Sequence, residues 1–156
     1  MKTELLLVGK TPDKHFAASI DDYVARIGHY MPFSTTVIPA LKNARNLSED
    51  QQKKAEGEMI LRQTEPSDYV VLLDERGKEM RSIELAGWLQ RKQATARRLV
   101  FVIGGPYGFS DAVYSRSNEM ISLSRLTFSH QMVRLVFTEQ IYRACTIIKG
   151  EPYHHE

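Results

Sequence analysis

Residues 99–110 read Leu-Val-Phe-Val-Ile-Gly-Gly-Pro-Tyr-Gly-Phe-Ser. The run Leu99 to Ile103 has no polar alternation, which is how a strand reads when a parallel sheet buries it on both faces. Gly104-Gly105-Pro106 stops the run, and Ser110 stands where a side chain would cap the next helix. Upstream, Tyr69 to Asp74 (YVVLLD) is a second continuous apolar run, closed by the turn residues Arg76-Gly77-Lys78. Ser82 then precedes a helical pattern containing Leu85, Trp88 and Leu89 and reads as its cap. Nearer the N-terminus, Glu4 to Val8 (ELLLV) ends at Gly9, and Asp13 to Tyr30 carries helical spacing through Phe16, Ile20, Tyr23, Val24 and Ile27. Phe33 to Ile38 is β-branched and ends at Pro39. Ser48 with Gln51 three residues later has capping-box spacing and opens another helix. Downstream, Ile121 to Phe128 reads as a fifth strand plus loop, and Gln131 to Lys149 as a long final helix. Apolar runs alternating with helical patterns imply an α/β fold: a mainly parallel sheet with helices on both faces, in one domain spanning residues 1–156.

Composition narrows the classes. At 156 residues with 42% hydrophobic and 26% charged residues, the chain can bury a real core, which excludes disorder and fibrous repeats. No apolar run approaches the length of a membrane span, and Glu4 inside the first run argues against a signal peptide. The single cysteine, Cys145, can form neither an internal disulfide nor a thiolate zinc site. A cytoplasmic protein is the expectation. Net charge is only +2, but the positive excess is C-terminal and dominated by arginine, the side chain suited to phosphate contacts.

The familiar nucleotide-binding motifs are missing. Gly9-Lys10-Thr11 lacks the earlier glycine of a P-loop, and Gly104-Gly105-Pro106-Tyr107-Gly108 does not match the Rossmann spacing. That glycine segment fits two readings: a tight strand-to-helix turn, or an open backbone against which a ligand lies. Its position at a strand's carboxyl end, where parallel α/β sheets bind ligands, favours a site shared with the ends of the runs at Leu73 and Leu123. His154 and His155 are adjacent, so their side chains diverge and no metal site is expected. Cys145 lies among Ala144, Ile147 and Ile148 and reads as a small core hydrophobe. The final helix is apolar over more than one stripe, through Met132, Val133, Leu135, Val136, Phe137, Ile141, Ile147 and Ile148, and this suggests a homodimer. Glu139 and Arg143 form an i, i+4 pair; Arg134 has no such partner. Arg97, Arg98 and Arg125 are candidate phosphate contacts.

The segments Ser122 to Arg134 (SLSRLTFSHQMVR), Glu139 to Ala144 (EQIYRA) and Pro152 to His155 (PYHH), together with Val102 to Gly108 and Leu7 to Gly9, closely resemble the RlmH family of SPOUT methyltransferases. The resemblance covers essentially the whole chain. It implies a C-terminal trefoil knot, which periodicity could not show. It also implies transfer of a methyl group from S-adenosylmethionine to N3 of a pseudouridine in 23S ribosomal RNA (helix 69) on the assembled ribosome, by a homodimer without a metal. By the same resemblance the cofactor-binding positions fall on Leu73, Gly104, Leu123, Ser124, Arg125, Leu126, Thr127 and Phe128. Tyr153 and His154 are assigned to the base-binding face, with Arg134 or Arg143 supplying positive charge. Tyr153 alternatively packs the tail against the dimer. A catalytically silent ribosome-binding module with the same fold, and a different nucleotide-binding enzyme, remain as rival readings.

Overall fold

The computed structural model describes residues 1–156. The elements are β1 (Lys2–Val8), α1 (Lys14–Ile27), β2 (Phe33–Ile38), a 3-10 turn (Ala44–Asn46), α2 (Glu49–Arg62), β3 (Tyr69–Glu79), α3 (Ser82–Thr95), β4 (Arg98–Ile103), α4 (Asp111–Arg116), β5 (Glu119–Ser122) and α5 (His130–Lys149). The five strands form one sheet in the order β2-β1-β4-β3-β5, and every pairing is parallel.

The strand alternation sorts the core into two layers. Leu5, Leu7, Leu99, Phe101, Ile103 and Val71 point to the side covered by α1, α3 and α5, where Phe101 meets Phe137 edge-on at 4.9 Å. Leu6, Val8, Val100, Val102, Val70 and Leu72 point to the side covered by α2 and α4, through Ile60 and Val113. The helices are therefore on both faces, as the unalternated strands require. The apolar circumference of α5 is only partly covered within the chain: Val133, Phe137, Ile141, Ile147 and Ile148 pack with the sheet, α1 and α3, whereas Met132 is exposed and Leu135 and Val136 belong to neither core layer.

Local signals mostly act where the residue types put them. Asp13 caps α1 by accepting from the N–H groups of His15 and Phe16, Ser48 and Gln51 form a reciprocal box at α2, and Ser110 and Ser129 cap α4 and α5. Ser82 does not cap α3. Arg81 occupies the cap position, its N–H bonded to Glu84 Oε1 at 2.8 Å, and the Ser82 hydroxyl donates instead to Gln140 Oε1 on α5 at 2.7 Å.

The larger departure is at β3 and β5. Arg76-Gly77-Lys78 does not end β3; the chain bulges after Leu73 and returns, so that both Leu73 and Lys78 stand opposite Ile121. The fifth strand is shorter and earlier than the apolar pattern suggests, covering only Glu119–Ser122. Gly77 makes the second approach feasible, since a Cβ there would lie 2.6 Å from the backbone N and C of Ile121. Neither contact can relax by rotating a side chain. Gly77→Ala should therefore destabilise the fold by about 1–3 kcal/mol, the usual cost of overpacking. A urea titration that left the midpoint unchanged would show that this crossing can spread.

Candidate functional site

A cavity of about 810 Å³ opens at the carboxyl ends of β3, β4 and β5. This is where strand order reverses direction relative to chain order, the usual ligand position in open parallel sheets. Its walls are the bulge Leu73–Arg76, the turn Ile103–Phe109, Tyr114 of α4, the segment Ile121–Ser124, residues Leu126 to Phe128, and His130 and Val133 at the start of α5. Each wall is local in sequence, and sheet topology alone brings the walls together. The β3–β4 ladder ends at Leu73 opposite Ile103, so the main-chain groups just beyond it are free to face the cavity.

Of the eight positions the sequence assigns to the cofactor, seven line this cavity: Leu73, Gly104, Leu123, Ser124, Leu126, Thr127 and Phe128. Arg125 belongs to the same loop but turns outward, with its side chain 88% exposed and its Nε 3.7 Å from Glu79. Ser124 shapes the loop, accepting from the Leu126 N–H on its hydroxyl and from the Ser122 hydroxyl on its carbonyl. Leu126 is 76% exposed, an apolar side chain at the rim that an occupant would cover.

The glycine turn lines the cavity on one side and is closely packed on the other. A Cβ at Gly104 would sit 2.8 Å from the ring of Phe109, and one at Gly105 would sit 2.7 Å from Glu56 Oε1. Both glycines are thus packed closely from behind the cavity wall that they also form, Gly104 by an aromatic ring and Gly105 by the end of a flexible side chain. Sequence reasoning missed Glu56, since nothing in α2 marks it as the backing of a turn far along the chain. Its carboxyl is buried and bonded to Gln52 Nε2 at 3.1 Å. Burial pushes its pKa up, partly offset by that hydrogen bond.

Asp74 and Tyr114 also face the cavity without having been singled out. The Tyr114 hydroxyl donates to Asp74 Oδ2 at 2.5 Å, the Arg76 N–H donates to Asp74 Oδ1 at 2.9 Å, and the Arg76 guanidinium stacks 4.7 Å from the Tyr114 ring. These contacts hold the bulge of β3 in shape at the mouth.

The four residues assigned to base binding divide into two groups. Arg134 is fully buried beneath the cavity and is not part of its wall. Arg143, Tyr153 and His154 come together around Glu139 in the middle of α5, with Glu139 about 14 Å and Arg143 about 20 Å along the helix from His130. Arg143 bonds Glu139 through Nε and Nη2 at 3.1 and 2.7 Å, and the Tyr153 hydroxyl donates to the same oxygen at 3.0 Å. Burial and the Glu139 hydrogen bond raise the Tyr153 pKa, so the phenol stays protonated. The Arg143 Nη1 donates to His154 Nδ1 at 3.0 Å, so Nδ1 is the accepting ring nitrogen and Nε2 the one left to donate. That Nε2 is buried without a hydrogen-bond partner, with Glu156 Oε1 3.9 Å away. The tail is pinned further by Tyr30 to Glu151 and Arg81 to Glu156, at 2.6 and 2.8 Å.

Other sequence candidates lie elsewhere. Arg98 pairs with the buried Asp68 at 2.8 Å, and Arg97 precedes it at the amino end of β4, opposite the cavity. Arg98 is therefore spent on the fold. Cys145 is buried, its thiol pushed up to about 12 by desolvation. No three His, Cys, Asp or Glu side chains converge as metal ligands, and no helix is long and apolar enough to cross a membrane.

The Glu56 backing gives a pH test. A carboxyl whose pKa is raised on folding favours the fold most when protonated, and that contribution is lost as pH rises through the folded value. Glu56→Gln should therefore melt above the parent at pH 8, with the gap closing on acidification into the ordinary carboxylate range. A gap independent of pH would mean that the buried charge is not the cause.

A family model described as "Predicted SPOUT methyltransferase" matches residues 1–154. The chain is 59% identical, over the whole of both chains, to the ribosomal RNA large subunit methyltransferase H of Bacteroides thetaiotaomicron. It is 54% identical to the protein of the same name in Christiangramia forsetii, over 99% of each. Among solved structures it resembles the putative methyltransferase Lpg2936 of Legionella pneumophila, in complex with S-adenosylmethionine. The TM-score is 0.50 at 11% identity, covering 90% of this chain and 65% of that one, a likeness of fold. With a full-length family match, near-complete relatives at this identity and the expected cavity at the sheet's carboxyl edge, the chain belongs to the RlmH family of SPOUT methyltransferases.

Proposed function

We propose that this protein methylates large-subunit ribosomal RNA with S-adenosylmethionine as donor, that the target is N3 of a pseudouridine in helix 69 of 23S rRNA on the assembled ribosome, and that the working unit is a cytoplasmic homodimer. The observation that carries this reading is the cavity itself, whose walls include seven of the eight positions that the sequence resemblance assigns to the cofactor. Its volume lies in the range of small-molecule sites. Its surfaces suit the molecule: Ile103, Ile121, Leu123 and Phe128 offer apolar faces for the adenine, and the free main-chain groups after Leu73 and Ile103 offer donors and acceptors for its edge. When bound, the sulfonium supplies a methyl group with its own neutral leaving group, so no metal is needed.

The chain's own residues then have three tasks. The loops around Leu73, Gly104 and Leu123–Phe128 hold the donor and exclude water, fixing its orientation relative to the acceptor. Arg143 and the tail beside it supply a cation for the imide as it loses its proton. Tyr153, kept protonated by Glu139, presents a donor and an aromatic face for the base.

Arg143 lies about 15 Å along α5 from Val133, the last cavity residue on that helix, and the tail is not among the cavity's lining residues. A dimer that lays one protomer's tail over its partner's cavity brings them together, and gives the orphaned His154 Nε2 a place to find an acceptor. The knot that the family resemblance implies would lie in the same region as the double pairing at Ile121, where Leu73 and Lys78 both pair and residues 74–77 bulge between them.

Ribosomes from a strain lacking the modification, incubated with labelled cofactor and mapped by mass spectrometry, should carry one new methyl group on the helix 69 pseudouridine. Cofactor binding without transfer would favour a silent ribosome-binding module; transfer to another nucleotide would overturn the substrate assignment. For the shared site, a Tyr153→Ala/His154→Ala protomer and a Thr127→Trp protomer, whose bulk fills the cavity from an exposed wall position, should each be inactive alone. Mixing them should restore about a quarter of wild-type activity, the share set by random pairing with one intact composite site in each mixed dimer. No recovery, with mixed dimers demonstrated, would place tail and cavity in the same protomer.

A further inference from the structure

The Arg134 guanidinium is fully buried and meets only neutral groups: Nη1 donates to Thr11 Oγ1 at 3.0 Å, Nη2 donates to the Val8 carbonyl at 2.8 Å, and Nη2 lies 2.8 Å from His130 Nε2. Its Nε has no partner at all. Guanidinium keeps its charge when buried, so this part of the protein holds a cation without a counter-ion, which is costly unless an anion arrives. Arg134 can only donate, so His130 Nε2 must accept, and the imidazole proton resides on Nδ1. With Nε2 turned inward toward Arg134 and Val8, the opposite edge of the ring is left to the cavity that His130 lines. Burial and then the neighbouring Arg134 charge lower the His130 pKa, outweighing the Val8 carbonyl 3.4 Å from Nε2, which acts the other way.

The cavity is therefore electrically uneven. Its α5 end lies over the carboxyl end of β1, with Arg134 behind the wall and the N-terminus of a 20-residue helix adding positive potential. Its opposite wall, two strands along the sheet and about 10 Å away, carries Asp74 and Glu75. S-adenosylmethionine has one anionic group, the carboxylate of its methionyl part.

We propose that His130, held as the Nδ1–H tautomer by Arg134, receives that carboxylate, so that Arg134 acts as a positioning residue and the cofactor lies with its amino-acid end toward α5. This rests on S-adenosylmethionine being the cofactor. The Asp74 side is then left for hydroxyl and cationic groups, where a carboxylate would be repelled.

The test compares binding of S-adenosylmethionine, S-adenosylhomocysteine and methylthioadenosine, which lacks the amino-acid part, by calorimetry on the full-length protein. His130→Ala should weaken the first two about tenfold, as expected for loss of a hydrogen bond to a charged group, and leave methylthioadenosine unchanged. His130→Asn, which keeps a donor near the Nδ1 position, should recover most of the loss. Nitrogen NMR of the cofactor-bound wild type should show His130 protonated at Nδ1 alone. Equal S-adenosylmethionine affinity in wild type and His130→Ala, or an equal loss for methylthioadenosine, would overturn the assignment. A wild-type protein that bound none of the three would instead overturn the cofactor reading.

Discussion

Ile121 is paired twice by the same strand, and the site depends on it. Because β3 bulges after Leu73 and returns through Gly77 to Lys78, the short β5 is held along both of its ends. A four-residue edge strand would otherwise have little to fix it. Once β5 is fixed, the loop from Leu123 to Phe128 must leave the sheet beside the Gly104 turn, and the cavity follows. The bulge also becomes a wall, so one crossing of main chain over main chain sets two of the three loops.

Polar groups beneath this surface hold it in shape. Glu56 backs Gly105, Phe109 backs Gly104, and Asp74 gathers Tyr114 and the Arg76 amide. On the other side Arg134 joins the first turn of α5 to the end of β1 through Val8 and Thr11. None of these contacts requires a ligand, which makes the cavity largely preformed; preorganisation of this kind lowers the ordering cost of binding.

The second assembly, around Glu139, uses different physics. Arg143, Tyr153 and His154 share one carboxylate and one another, with Tyr153 packed edge-on against Tyr142 at 4.8 Å. The cluster orders a tail that would otherwise fray, and leaves one buried donor open.

Much of this was legible in the residues. Unalternated runs such as Leu99 to Ile103 report burial on both faces directly, so the parallel sheet and its two helical layers follow from pattern alone, and family resemblance named seven of the cavity's lining positions. What the sequence could not reveal were the long-range pairings: that β3 returns to Ile121, that Glu56 stands behind Gly105, and that Ser82 serves α5 instead of capping its own helix. Arg134 shows the difference most clearly, since its spacing marked it only as a cation without a helical partner. Periodicity records which face of an element is apolar, a local property of neighbouring residues. Which unpaired polar group meets which, across 30 to 126 positions of chain, is decided only when the sheet order has been set.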